Sequence, residues 1–163
     1  MKQSKVKTER LALRGIEEGD GETIVKWRSN PAVYKYFSSP RPITLEEHRK
    51  WFRESYLCDA NRMDWIAESV KTGTPVGLFN LKRTGGQLDE VAAGYLLAPE
   101  EQHKGYAREA VDGLLEWAKR CWGSRTAVAE IQKDNSASLR FIEGLGFQKF
   151  DEKGQFEVYR KTL

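Results

Sequence analysis

Cysteine, methionine and histidine each occur only twice in this 163-residue chain, and proline five times. Two cysteines, Cys58 and Cys121, make neither a disulfide framework nor a metal-ligand cluster, and they suit a reduced, cytoplasmic protein. Two histidines put a zinc site built on several imidazoles out of reach, so no metal is expected. No apolar run approaches the ~20 residues of a membrane span. The early lysines Lys2, Lys5 and Lys7 are not followed by the apolar stretch of a secretory signal. No membrane partner is expected. Charge of one sign is lacking too, since 27 basic residues face 24 acidic ones for a net of +3. That balance, with the charges interspersed, gives no case for a nucleic-acid partner. Linkers, repeats and low-complexity tracts are absent, so residues 1–163 read as a single domain. A chain of this length buries roughly 70% of its unfolded surface, enough for a core without staples.

What is present is a series of short segments with distinct periodicities. Residues 10–14 alternate as a half-buried strand. Asp20 is placed to cap a helix over residues 22–28, and Pro31 to stop it. Thr44 with Glu47 forms a capping-box pattern, opening a helix through Trp51 and Phe52 towards Tyr56. Residues 64–69 and 76–81 flank a turn at 71–75 and predict a hairpin. Gly85 and Gly86 turn the chain again into the apolar run 91–97. From Ala107 onward, apolar residues at 107, 110, 111, 114, 115, 118, 121 and 122 predict a long amphipathic helix over 105–122. Residues 126–131 read as a strand. A short helix over 136–145 follows, opened by Asp134 or Asn135 and ended by Gly146, before a last strand at 156–159. Antiparallel hairpins come first and helix–strand alternation later. The fold class is therefore α/β (α+β), a mixed, mostly antiparallel central sheet flanked by helices.

The segment from Gly94 to Arg108 carries the chemistry. A strand ends at Leu97, Pro99 breaks the ladder, and Gln102-x-x-Gly105-x-Ala107 runs straight into the long helix. Such a loop bares backbone N–H groups where the first four have no intrahelical partner. That end attracts anions, and small residues let a phosphate approach the backbone. His103 and Lys104 add positive charge. No Gly-Lys-Ser/Thr follows, and there is no Gly-x-Gly-x-x-Gly, so neither nucleotide-binding fingerprint is present. By itself the motif is equally a glycine-softened turn into a core helix.

Together with other segments, the motif resembles the GNAT N-acetyltransferase superfamily, whose loop pattern Gln/Arg-x-x-Gly-x-Gly/Ala stands here as Gln102, Gly105 and Ala107. A second family motif runs from Asn135 through Ser138 to Phe147. The stretches from Thr8 to Arg14, Trp27 to Pro31 and Ile43 to His48 look like the Rim-type branch, the ribosomal-protein-alanine N-acetyltransferases. The similarity covers roughly residues 8–150 in order. It implies acetyl-CoA as cosubstrate and a primary amine as acceptor, most simply a protein N-terminal α-amine or a small-molecule amine. Amino sugars linked to nucleotides are an alternative acceptor, and a CoA-binding module without turnover is the reading from another class. A monomer or a homodimer would serve equally.

Residue by residue, the resemblance implies that Leu96 and Leu97 offer backbone groups to the pantetheine arm, where the strand splays from its neighbour. Gln102, His103, Lys104, Gly105, Tyr106 and Ala107 would hold the pyrophosphate, with Tyr106 also readable as a packing aromatic. Asn135 would bond the pantetheine or thioester region, and Lys133 or Arg140 the remaining phosphate. Two departures stand out. A family tyrosine seven residues after the asparagine is here Ile142, which leaves Ser138 as the nearest hydroxyl, either an acid or a helix-start serine. A glutamate two residues before the strand glycine is here Ala92. Glu90, on the same strand face, is either a base acting through water or a solvated turn carboxylate. On the acceptor side Trp27, Arg28, Tyr34 and His48 are candidates, while Trp51 and Phe52 read as packing. Arg28 would pair with an acidic acceptor group.

Overall fold

The computed structural model describes residues 4–84 and 89–163; the turn expected at Gly85 and Gly86 lies outside them. Strands β1 (Lys5–Lys7) and β2 (Leu11–Gly15) open the chain, followed by helices α1 (Gly21–Arg28), α2 (Pro31–Tyr34) and α3 (Leu45–Trp51). Helix α3 begins as its sequence dictates. The Glu47 N–H donates to Thr44 Oγ1 at 3.1 Å, and the Thr44 N–H donates to Glu47 Oε2 at 2.7 Å, satisfying two orphan amides reciprocally. A π-helical turn, Phe52–Tyr56, continues it. Strands β3 (Arg62–Ser69), β4 (Pro75–Arg83) and β5 (Glu90–Leu97) then run antiparallel in succession. After the 3₁₀ turn Pro99–Glu101 come α4 (Tyr106–Trp122), β6 (Thr126–Gln132), α5 (Ser136–Gly144), β7 (Gln148–Lys153) and β8 (Phe156–Thr162).

These strands make one eight-stranded sheet in the order β1-β2-β3-β4-β5-β6-β8-β7. The β5–β6 pair is parallel, and every other pair is antiparallel. Each sheet face has its own core. On one, the α4 stripe of Ala107, Ala110, Val111, Leu114, Leu115 and Ala118 packs over Trp65, Phe79 and Val91, joined by Ile142 from α5. On the other, Ile24, Trp27, Phe52 and Tyr56 pack on Ile66, Leu78 and Leu96. Strand alternation makes this division, sending odd and even residues of β5 to opposite sides.

The expected elements are present, with local differences that have physical reasons. Pro31 does not merely end a helix; it starts α2, with the Asn30 side chain accepting the Ala32 N–H at 3.0 Å. Proline suits that first position because its missing N–H would be unpaired there. Asp20 stands before α1, yet its carboxylate bonds Arg14 twice at 2.8 Å and the Glu17 N–H at 2.7 Å instead of capping the helix. Cys121 is exposed and drops out of the apolar stripe of α4, whereas Trp122 beyond it still packs against the core. Strand β7 was not legible because all six of its residues are exposed. An edge strand rich in charge leaves no alternation to read.

Candidate active site

The parallel β5–β6 ladder is short. It pairs residues 90–92 with 126–128 and then stops, although β5 runs on to Leu97 and β6 to Gln132. Beyond Ala92 the two strands diverge, and a cavity of about 1210 Å³ occupies the opening. The phase of the β4–β5 ladder tells which β5 groups face it. Bonds from the Ala98 N–H to Val76 O (2.9 Å) and from the Thr84 N–H to Glu90 O (3.1 Å) mark the hydrogen-bonded pairs. Alternation then commits the backbone of Gly94 and Leu96 to β4, and the Ala92–Val128 pairing uses the Ala93 N–H, leaving the Ala93 C=O and the N–H and C=O groups of Tyr95 and Leu97 directed at the opening. The Leu97 backbone thus faces the opening, whereas that of Leu96 faces β4. Leu96 meets the cavity through its side chain.

Where β5 ends, the loop winds tightly. His103 has φ 63° and Gly105 φ 81°, left-handed values at alternate residues that turn successive amides towards one side. Gly105 caps α4, whose first internal bond runs from the Glu109 N–H to Gly105 O at 3.2 Å. The amides of Tyr106, Ala107 and Arg108 are thus without intrahelical partners. Gln102, His103, Gly105, Ala107 and Arg108 line the cavity. Lys104 does not; its ammonium pairs with Glu101 at 2.8 Å. The Tyr106 ring lies 4.7 Å beneath the Arg10 guanidinium, which makes it the packing aromatic.

Arg10 was not foreseen as part of this loop. Its Nη1 donates to Lys104 O at 2.8 Å, and its Nε pairs with Glu109 Oε2 at 2.7 Å. The Arg10 N–H and the Thr8 hydroxyl also donate to Glu109 Oε1. The β1–β2 turn is therefore a brace for the loop. Arg10→Ala should lower CoA affinity by about 3- to 10-fold through lost preorganisation. It should change stability by less than about 1 kcal/mol, as befits a surface ion pair. Calorimetry with CoA beside a thermal melt checks both, and equal affinities would show that the loop holds itself.

On the α5 side, Asn135 caps the helix, its Oδ1 accepting the Ser138 N–H at 3.3 Å. The Tyr95 hydroxyl donates to Ser138 Oγ at 3.1 Å, and its ring packs 4.8 Å from Phe141. Burial pushes the Tyr95 phenol up, so it stays protonated and remains a donor. Ser138 is left with a hydrogen of its own, beside a cavity lined by Asn135 and Ser138 alike. Ile142 is 2% exposed and belongs to the core. Lys133 pairs with Glu152 at 3.0 Å.

Across the sheet, Arg28, His48, Trp51, Arg62, Asp64 and Asn80 line the far end of the same cavity. Asp64, 2% exposed, accepts two bonds from Arg62 at 2.7 and 2.9 Å. Asn80 lies over Gly94 so closely that a Cβ there would come within 2.8 Å of its Nδ2. Only glycine allows that approach. His48, one of the acceptor-side candidates, is 2% exposed with both ring nitrogens buried and unpartnered. Burial, then the neighbouring Arg28, lowers its pKa and keeps the imidazole neutral.

Three expected residues fall elsewhere. Trp27 is 5% exposed and packs in the second core. Tyr34 ends α2 and is not among the cavity-lining residues. Glu90 sits at the closed end of β5, bonded to Thr84 Oγ1 at 2.7 Å and Arg160 at 2.8 Å, which hold it below the usual carboxylate range. It shares a strand face with Gly94, yet four residues of strand put it about 13 Å away. Asp64, Asn80 and Tyr95 went unforeseen, although each is a polar group inside an otherwise apolar strand, which is the informative kind of residue.

The acetyltransferase (GNAT) domain family matches residues 10–148. An uncharacterized protein of Methanocaldococcus jannaschii is 32% identical across 94% of this chain, which spans only 31% of that protein's length. An uncharacterized N-acetyltransferase of Bacillus licheniformis is 26% identical over 95% of this chain and 86% of its own. A spermidine N-acetyltransferase of Vibrio cholerae, solved with CoA and spermine, aligns with TM-score 0.81 at 19% identity over 94% of this chain and 95% of that one. RimL, a ribosomal L7/L12 α-N-protein acetyltransferase in complex with coenzyme A, aligns with TM-score 0.84 at 17% identity over 98% of both chains. At these identities the two structures establish likeness of fold alone.

Proposed function

The chain belongs to the GNAT acetyltransferase family and is an acetyl-transferring enzyme, and on that premise we propose that it moves an acetyl group from acetyl-CoA directly to a weakly basic primary amine. A protein N-terminal α-amine and a small-molecule amine both qualify, sugar-linked amines included. One observation carries this reading. A single cavity joins the bare amides of the α4 loop, the open edge of β5 and the pocket beneath α1 and α3. Its volume of about 1210 Å³ exceeds the ~300–1,000 Å³ of a pocket for one small ligand, as two substrates sharing a cleft require.

The residues suit CoA in chemistry as well as space. Amides over residues 102–108 would hold the pyrophosphate, with the Arg108 guanidinium beside them. The Ala93 C=O and the backbone groups of Tyr95 and Leu97 offer a strand edge to an amide-bearing arm, as β-addition requires. The Tyr95 and Leu97 N–H groups are also donors for negative charge on an acyl oxygen. Acetyl-CoA, when bound, supplies an acyl group already activated as a thioester. Asn135 and Ser138 stand where that arm ends, and Ser138 would return a proton to the leaving sulfur.

The acceptor must arrive uncharged, and the cavity is poorly equipped to strip a strong base. Asp64 is engaged by Arg62, and Glu90 lies outside. A terminal amine with pKa near 7.8 is partly neutral at pH 7, whereas a lysine side chain near 10.4 needs about 3.5 kcal/mol more. The two cysteines, both exposed and unpaired, fit a reducing compartment such as the cytoplasm.

A thiol-release assay with acetyl-CoA and amines of graded pKa tests the reading. At pH 7, terminal-type amines should exceed lysine-type amines in kcat/KM by at least about 10-fold, a gap that narrows as pH rises. Release with no amine, or a preference for the lysine type at pH 7, would overturn it.

A further inference from the structure

The acceptor end of the cavity carries more positive charge than it neutralises. Arg28, Lys35 and Arg62 line it. Among the described residues, Asp64 is the one carboxylate at that end, and Arg62 already grips both its oxygens at 2.7 and 2.9 Å. The other lining carboxylate, Glu130, stands on β6 and pairs with Lys153 at 3.1 Å. Arg28 makes no ion pair among the described residues; its guanidinium lies 5.6 Å from the Phe37 ring centroid. Burial first, and then Arg62, lowers its pKa against a smaller opposing pull from Asp64. A guanidinium does not deprotonate in this range, so the charge stays in the pocket.

His48 stands beside Arg28 as part of the wall. It is 2% exposed, and its two ring nitrogens are buried without partners, Nε2 lying against Gly21 of α1. The imidazole is neutral, and Arg28 is close enough to help depress its pKa. The ring therefore shields the pocket from water and leaves the Arg28 guanidinium, which has no ion pair among the described residues, as the donor for an oxyanion.

We propose that Arg28 is the binding residue of an anion subsite walled by His48, and that the acceptor is a primary amine bearing a carboxylate or phosphate group close to its nitrogen. The proposal rests on the N-acetyltransferase reading above and gives its substrate class. It sets this pocket apart from one suited to a polyamine, whose further ammonium groups would face Arg28 and Lys35 as like charges.

The test pairs each anionic amine with its neutral twin in the thiol-release assay. O-Phosphoethanolamine is set against ethanolamine, glucosamine 6-phosphate against glucosamine, and a seryl peptide with an acidic second residue against one with a neutral residue; spermidine is the cationic probe. At least one anionic member should exceed its twin by about 10-fold or more in kcat/KM, expressed chiefly in KM, as a charge-assisted bond provides. Which pair responds distinguishes phosphate from carboxylate and small molecule from peptide. Arg28→Gln should cut that ratio below about 3-fold, with Arg28→Lys restoring part of it. Neutral twins or spermidine favoured by the wild type, or a ratio unmoved in Arg28→Gln, would overturn the subsite.

Should no amine be acetylated, the reaction assigned above fails, and binding decides the subsite separately. Calorimetry of O-phosphoethanolamine into CoA-loaded protein should then show at least about 10-fold weaker binding in Arg28→Gln. No binding to the wild type, or equal binding to the two proteins, would overturn the proposal.

Discussion

Replacing Gly105 by glutamate is expected to abolish CoA binding, weakening it by on the order of 100-fold or more. Two effects add. Gly105 has φ 81°, a left-handed conformation that costs an L-residue roughly 1–2 kcal/mol. A carboxylate at the cap of α4 also sets negative charge against the phosphates the loop would hold, and like charges in contact cost several kcal/mol. A Cβ at 105 would also stand 3.2 Å from Arg10 Nη2, pushing on the guanidinium that braces the loop. Gly105→Ala separates the two contributions. It carries only the conformational strain and the push on Arg10, and should lose about 10-fold at most. Calorimetry with CoA, run beside thermal melts of both variants, provides the comparison. Affinity unchanged in the glutamate variant would mean that the pyrophosphate lies elsewhere, and the proposed CoA site would fall with it.

Ser138→Ala should slow turnover by roughly 30- to 100-fold while leaving CoA affinity within about 2-fold. General acid catalysis contributes roughly 100- to 10,000-fold. A thiol of pKa about 8.5 needs less help than an alcohol, which puts the expectation at the lower end. The hydroxyl belongs to a relay. Tyr95 donates to Ser138 Oγ at 3.1 Å, which polarises the serine and frees its hydrogen for the cavity. Tyr95→Phe should therefore cost less, about 3- to 10-fold, because it removes the polarising bond and keeps the donor. The double variant should be little worse than Ser138→Ala alone, since coupled groups act as a unit. Pre-steady-state thiol release with saturating amine measures all three. Wild-type turnover in Ser138→Ala would reduce Ser138 to a member of the α5 cap.

How far the chain could be read in advance depended on what each signal encodes. The stripe from Ala107 to Ala118 announced α4 because burial of one helical face repeats every three to four residues. Thr44 and Glu47 announced α3, and Asn135 announced α5, because capping is settled within a single turn. Strand β7 escaped because an exposed edge has no buried face to write a pattern. The two readings of Glu90 stayed open for a related reason. Alternation correctly put it on the face of Gly94, yet says nothing about height along the strand, and height is what separates it from the opening. The burial of His48 was equally invisible, as its own helix shows one histidine among charged neighbours while Gly21, against which its ring packs, belongs to another element.

Order along the chain was enough for the family, the fold class and the loop that suits a pyrophosphate, since Gln102, Gly105 and Ala107 act through backbone geometry set over a few consecutive residues. It was not enough for the pocket. Arg28 from α1, His48 from α3, Asp64 from β3, Asn80 from β4 and Tyr95 from β5 meet only because the sheet stacks their strands and helices around one divergent strand pair. Whether a charge there is neutralised, as Asp64 is by Arg62, or left facing the cavity, as Arg28 is, follows from distances between groups far apart in sequence. Electrostatic interaction falls with distance through space and depends on burial, and both are properties of the assembled fold.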